Sequence, residues 1–286
     1  MVEKLIERSR KAPLRIFAIL VLLVIGTTIF INQWFFPVRA WLPVTLATGG
    51  LLNATLQAGW ISILVLVGFV ILYLGKFRLT EIGLDFSKLP TGLLYTASIW
   101  LAIHLLLLAW LLLVGAPLQL DPAWNEPGPV HQISQFFGQI AGNALAEELV
   151  YRGFLLVQCL LLLQKRFRQN RWLWAILAIL LSSAIFSASH VPNRLFKGGH
   201  DSISAIAGDQ SNLIFAGALF CLLYLRTQNL FFAVGVHALA NRPTLIIDAP
   251  DGFDAAGTLC VIIALVMSFF WQRLPGVKTR IIPEST

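Results

Sequence analysis

The residues best suited to chemistry are Glu147, Glu148 and Arg152, two adjacent carboxylates and a guanidinium in a largely apolar segment. If the segment is a membrane helix, each ionisable group near its centre costs roughly 2.5–3.5 kcal/mol to insert, and such groups usually mark a functional site. Residues four apart share a helix face, so Glu148 and Arg152 are predicted to form an ion pair. Glu147 lies on a different face and has no partner in this pattern.

A row of carboxamides leads along the chain to Glu147. Gln135, Gln139 and Asn143 recur every four residues before it and therefore share its side of a helix. This stripe predicts a hydrated cavity between helices, in which Glu147 is a candidate general base or acid for activating water. The alternative is a structural ion pair that fixes helix packing, which explains the other two charges but not Glu147.

Two histidine motifs follow in later apolar segments. Phe186 and His190 are four residues apart in one segment, and His237 and Asn241 are four apart in another. A histidine that ends a helix is often a cap, and an isolated histidine within a membrane helix is more often structural. Three polar clusters on three separate helices are better explained if they meet in one cavity, where they can satisfy one another.

Other reactive residue types in the chain have structural explanations. Ser187 and Ser189 are too close in sequence to His190 to be presented to it by the same helix, and no GxSxG motif is present, so a serine mechanism is disfavoured. The cysteines lie in apolar runs without CxxC spacing and are interpreted as small hydrophobic residues. These cysteines, and the three histidines interpreted as structural, are Cys159, Cys221, Cys260, His104, His131 and His200.

Composition identifies a membrane protein. The 286 residues are 57% hydrophobic and 12% charged, whereas soluble domains are about one quarter charged. The predicted fold class is an all-α, polytopic transmembrane helical bundle of about eight spans. The formal net charge is +7, but the basic residues flank apolar segments instead of forming a patch with interleaved aromatics. We therefore interpret them as topology determinants and do not expect a nucleic-acid partner.

The spans follow from apolar runs bounded by basic or helix-breaking residues. Pro192 is expected to close the fifth span, and 41–57 is expected to be re-entrant or interfacial. Sixteen Lys and Arg residues fall on one side of this layout and four on the other, which predicts that both termini are cytoplasmic. The predicted spans are about 16–36, 60–74, 91–114, 131–163, 172–190, 211–225, 230–247 and 255–271.

The three motifs resemble those of a known protease family. In chain order they are Glu147-Glu148-x-x-x-Arg152, Phe186-x-x-x-His190 and His237-x-x-x-Asn241. In this order and in separate spans they resemble the CAAX prenyl protease and bacteriocin-processing family of intramembrane proteases, also called the CPBP or Abi family. Each motif alone is weak, whereas the ordered set is specific. The resemblance covers about residues 76–247, which would be a protease core between N-terminal spans (1–75) and a last span with a cytoplasmic tail (248–286).

The resemblance implies an integral membrane endopeptidase, most simply of a prokaryotic cell membrane. By family analogy, Glu147 and His190 activate a water for attack on the scissile carbonyl, while His237 and Asn241 donate hydrogen bonds to the oxyanion. The implied substrate is a membrane-associated peptide or protein, with CAAX-type substrates as one possibility, and the other implied partner is the lipid bilayer. The residues that would support the site are Glu148, Arg152 and Phe186.

The residues leave a zinc mechanism open beside the metal-free one. Glu147, His190 and His237 could ligate zinc and leave one position for water. An HExxH motif is absent, and Asn241 is a poor zinc ligand but a good oxyanion donor. A site without a cofactor is therefore favoured.

Two functions of other classes remain as alternatives. A non-catalytic immunity or partner-stabilising protein on the same scaffold would be favoured by a missing motif residue, and none is missing. A proton-coupled transporter could use Glu147 and His237 as a relay, but it would be favoured by inverted repeats or paired broken helices, which we do not find.

Overall fold

The structure is a computed structural model that describes residues 2–167, 170–197, 202–249 and 255–277. His200 and the tail from residue 278 lie outside the described residues. The main helices in these ranges are α1 (Leu14–Phe35), α2 (Ala54–Leu74), α3 (Phe86–Val114), α4 (129–166), α5 (Arg171–Lys197), α6 (Ile203–Thr227), α7 (Leu230–Asn241) and α8 (Ala256–Phe269).

The all-α membrane class is confirmed. In the described part of the chain, α1, α2, α3, α5 and α6 are long and apolar enough to cross a membrane, and α7 and α8 are shorter apolar helices. The same residues contain no strand beyond one isolated bridge between Leu120 and Ile247. Large apolar side chains such as Leu113 remain exposed, as expected for surfaces that face lipid.

The helix α4 forms the centre of the bundle. All residues from Glu148 to Leu156 are buried, and helices on several sides supply the apolar cluster around them. Two stretches of α4, Gln139–Asn143 and Glu148–Leu156, have π-helical hydrogen bonding. Such widened turns are frequent at functional sites, and here they bracket Glu147.

The first two spans pack against this central helix. Asn53 caps α2 by accepting a hydrogen bond from Leu56 N–H, and its amide donates to the Ser134 carbonyl at 2.6 Å. Gly59 faces Gly142 so closely that a β-carbon on either residue would collide with the backbone of the other helix. Small residues allow this approach, as is common between membrane helices.

The stretch 41–57 adds no span. It contains only the short helix Leu42–Ala47, which is far below the length needed to cross the bilayer. The second span then begins at Ala54, earlier than predicted, because Asn53 provides its N-cap.

The expectation that Pro192 closes the fifth span is wrong, since α5 continues to Lys197. A proline removes one backbone donor, and membrane proteins tolerate it where neighbouring groups compensate. Beyond the proline, the guanidinium of Arg194 donates two hydrogen bonds to Asp209, at 2.7 and 3.2 Å, and ties α5 to α6. The sixth span also begins earlier than predicted, at Ile203, with the hydroxyl of Ser202 as its cap.

The seventh span ends at Asn241 rather than near residue 247, and residues 242–249 have no helical structure. The indole of Trp100 donates to the Thr244 carbonyl, and Trp124 donates to Leu245. His104 accepts a hydrogen bond from Ile246 N–H at 3.1 Å. His104 therefore has a structural contact, which holds the chain that leaves α7. His131 is exposed at the start of α4.

Candidate active site

Glu148 lies in a buried charge cluster formed by α4 and α7. Its Oε1 is 3.0 Å from the guanidinium of Arg152 and accepts a hydrogen bond from His237 Nδ1 at 2.7 Å. The side chains of Glu148 and Arg152 are 0% and 1% exposed. Because a carboxylate only accepts, Nδ1 of His237 carries the hydrogen of this bond and Nε2 faces the opposite way. Glu148 thus orients the histidine, in addition to the predicted pairing with Arg152.

Aromatic rings enclose this cluster. The guanidinium of Arg152 lies 4.7 Å from the ring centre of Phe186 and 5.2 Å from that of Phe220. Phe220 also stacks on His237, with ring centres 4.7 Å apart. These rings exclude water while their faces attract the cation, which partly offsets the cost of its burial.

Glu147 lies between two histidines. One carboxylate oxygen is 3.8 Å from His190 Nε2, and the other is 3.6 Å from His237 Nε2. The Glu147 side chain is 18% exposed, in contrast to its buried neighbour Glu148. Two adjacent residues on one helix therefore have different surroundings, because successive helical side chains point about 100° apart.

The ring of His190 is held by α5 and by the central helix. Its Nδ1 is 2.8 Å from the Phe186 carbonyl, and its ring lies against that of Phe186, with centres 4.6 Å apart. Tyr151 donates a hydrogen bond to Ser189 Oγ at 2.6 Å, and this hydroxyl donates to the same carbonyl at 2.7 Å. Ser189 has already used its single hydrogen, so it does not form a nucleophile pair with His190.

Asn241 lies at the last turn of α7 and is exposed. Its amide nitrogen donates to Gln139 Oε1 at 3.1 Å, which joins the end of α7 to the polar stripe of α4. A carboxamide has two N–H groups, so one donor remains for another acceptor.

A cavity of about 270 Å³ opens in front of Glu147. Gln139 and Asn143 line it, as the polar stripe predicts, whereas Gln135 does not. Much of the remaining wall comes from α1 and α2. His190 lines the cavity, and His237 reaches Glu147 from the buried side.

Zinc ligation was considered for Glu147, His190 and His237. Among the described residues, no three His, Cys, Asp or Glu side chains are grouped as ligands of one metal ion would be. Tetrahedral zinc sites need ligand atoms about 2.0–2.3 Å from a common centre. The residues present do not form such a ligand set in this geometry.

Comparison with known proteins supports the resemblance. Residues 129–242 match the family model described as Rce1-like, type II CAAX prenyl endopeptidase. The family resemblance is confirmed. This segment, which holds all three motifs from the start of α4 to the end of α7, is that of a CAAX-type intramembrane protease of the CPBP family. Searches of curated proteins and of solved structures gave no match.

Sequence reasoning missed several residues that line the cavity. Those on the first two spans lie outside both the family match and the predicted core 76–247. The signal that could have found them is the occurrence of polar side chains inside apolar spans. The polar residues of this kind are Thr27, Thr28, Asn32, Thr55 and Ser62.

Proposed function

We propose that this protein is an intramembrane endopeptidase in which Glu147 and His190 activate a water molecule. The position of Glu147 carries the proposal. Its oxygens face the Nε2 atoms of His190 and His237 at 3.8 and 3.6 Å, and its side chain opens on the cavity. A carboxylate between two imidazoles suits proton transfer during hydrolysis.

Neither histidine is close enough to Glu147 for a direct hydrogen bond, which requires about 2.7–3.2 Å. A water molecule in the cavity can contact both Glu147 and His190. As the water oxygen bonds to the scissile carbonyl carbon, Glu147 takes one of its protons and a tetrahedral intermediate forms. The C–N bond then breaks, and the proton passes from Glu147 to the leaving nitrogen. The products are a new carboxyl group and a new amine.

His237 and Asn241 are proposed to stabilise the oxyanion of this intermediate. His237 already donates its Nδ1 hydrogen to Glu148, so a proton on Nε2 makes it a cationic donor. The two glutamates and Arg152 carry one net negative charge, which this proton cancels. The remaining N–H of Asn241 supplies a second donor. Removing one such donor typically costs about 10²–10³ in rate.

We propose a metal-free reaction. Chelation separates it from the zinc alternative, in which Glu147, His190 and His237 would be the ligands. Activity that survives a strong chelator supports the glutamate mechanism. Activity that is lost with the chelator and restored by added zinc identifies a metalloprotease.

The decisive experiment uses purified protein in liposomes with a library of membrane-associated peptides. We expect Glu147→Gln to lower the cleavage rate by at least about 100-fold, because it removes the base but keeps size and hydrogen bonding. The control is Glu126→Gln, the same change at an exposed loop position. Cleavage by Glu147→Gln at the wild-type rate refutes the proposal.

We also propose that the protein lies in a prokaryotic cell membrane with both termini cytoplasmic. The distribution of Lys and Arg supports this orientation. Topology reporters fused to each terminus test it, and a reporter active only outside the cytoplasm contradicts it.

A further inference from the structure

The cavity in front of Glu147 has a polar wall built by α1 and α2. Thr28 and Asn32 come from α1, and Thr55 and Ser62 come from α2. These side chains lie inside spans that are otherwise strongly apolar, where a lipid-facing position would favour a hydrocarbon side chain. Their placement on the cavity side indicates contact with a polar ligand or with water.

The groups that line the cavity are mostly uncharged. Its polar residues are hydroxyls and carboxamides, and its ionisable residues are Glu147, His190 and Tyr151. No lysine or arginine lines it, and the nearby Arg152 is occupied by Glu148. The cavity therefore has no free cation to bind a terminal carboxylate, which favours an internal segment of a peptide chain.

Two carboxamide oxygens on opposite walls need donors. Asn32 uses its amide nitrogen to donate to the Thr28 carbonyl at 2.8 Å, but its Oδ1 accepts no hydrogen bond from the described residues. Asn193 on α5 also has an Oδ1 without a partner there. A buried acceptor left unpaired costs about 1–3 kcal/mol, and the N–H groups of a peptide could pair with both.

An isoprenoid chain is a poor match for this wall. It would cover hydroxyls and carboxamides without offering any hydrogen bond in return, at about 1–3 kcal/mol for each group left unpaired. A charged peptide side chain would be desolvated there without an opposite charge beside it. An uncharged peptide segment with polar side chains avoids both penalties.

We propose that the cavity binds an uncharged, hydrogen-bonding segment of an unprenylated peptide chain, and that α1 and α2 select it. This inference rests on the proposed function, because it names the substrate class of the same site. The contact of Gly59 with Gly142 fixes α2 against the helix that carries Glu147. Trp60 strengthens this contact by donating to the Ala141 carbonyl at 3.1 Å. The selecting wall and the reacting carboxylate are thus held in one rigid arrangement.

The first arm of the test compares matched peptides in proteoliposomes. One pair differs only in whether a cysteine carries a farnesyl group, and another set places Ser, Asn, Leu, Lys or Asp beside the cleaved bond. We expect the farnesylated and free peptides to be cleaved within about threefold of each other. We expect Ser and Asn peptides to be cleaved at least about tenfold faster than Lys and Asp peptides, a difference of about 1.4 kcal/mol.

The second arm changes the wall. Asn32→Leu should shift the preference from Asn towards Leu peptides by about tenfold, whereas Gln33→Leu should not, because Gln33 is exposed next to Asn32 and does not line the cavity. If Asn32→Leu is poorly expressed, Asn32→Ala tests the same contact with a smaller change. An unchanged preference in a folded Asn32 variant overturns the assignment of the wall.

The outcomes separate this inference from the proposed function. Cleavage that requires both Glu147 and the farnesyl group overturns the inference and leaves the proposed function intact. Cleavage of any peptide that persists in Glu147→Gln overturns the proposed function. Cleavage that depends on Glu147, ignores the farnesyl group and changes with Asn32 supports both.

Discussion

Replacing Arg152 with leucine tests how the buried cluster is balanced. Arg152→Leu removes the cation 3.0 Å from Glu148 while keeping an apolar side chain between Phe186 and Phe220. Glu148 then remains as a fully buried carboxylate whose remaining partner in this cluster is His237. The variant should fold less stably and also lose activity, because Glu148 sets the orientation of His237.

The magnitude follows from the burial of both partners. Removing one member of a buried ion pair typically costs about 3–5 kcal/mol, because the other charge is left without compensation. The lost cation–π contacts add roughly 0.5–2 kcal/mol. At about 2–4 °C per kcal/mol for a chain of this size, the melting temperature should fall by on the order of 10 °C.

The assay is thermal unfolding of the purified protein in detergent, with the double variant Glu148→Gln/Arg152→Leu beside the single one. Glutamine can still accept the hydrogen bond from His237 but carries no charge, so the double variant should recover most of the lost stability. The matched control is Arg194→Leu, which removes a guanidinium from a partly exposed pair with Asp209. This control should cost about 1 kcal/mol or less.

Two results refute this reasoning. Equal losses for Arg152→Leu and Arg194→Leu would mean that burial does not set the cost. A double variant less stable than Arg152→Leu would mean that the uncompensated charge on Glu148 is not the source of the instability. Recovery of stability without recovery of activity is the expected result, because the net charge around His237 has changed.

Two further predictions concern packing and the support of His190. Gly59→Ala should destabilise the protein by about 1–3 kcal/mol because its β-carbon meets the Gly142 backbone, whereas Gly26→Ala, with open space around it, should be close to neutral in the same unfolding assay. Tyr151→Phe removes the hydrogen bond to Ser189 and should cost about 1 kcal/mol and lower kcat more than it changes KM. A larger effect on KM in steady-state cleavage would contradict a role in positioning.

The sequence predicted the class of the protein and the membership of the charge cluster. Hydrophobic runs identify spans because every backbone group in lipid must bond within the protein, and this leaves helices as the simplest solution. Helical spacing separated Glu147 from the Glu148 and Arg152 pair, since that geometry is local. Each of these inferences depends on interactions within a few residues of chain.

Helix ends were predicted less well. The continuation of α5 past Pro192 depends on partners such as Asp209, which lies on the next helix. The early end of α7 similarly depends on His104 and Trp100, far away in sequence, which hold the chain that follows. A local pattern cannot show such partners, so proline and polar residues were given too much weight as helix boundaries.

The sequence by itself thus determined the membrane class, the three motifs and the face on which Glu147 lies. The tertiary structure decided that Glu148 accepts from His237, that Glu147 lies between two histidines, and that α1 and α2 wall the cavity. The physical reason is the range of the interactions. Helix periodicity and insertion cost act along the chain, whereas the approach of Gly59 to Gly142 and the meeting of three helices at one carboxylate arise only when distant segments pack.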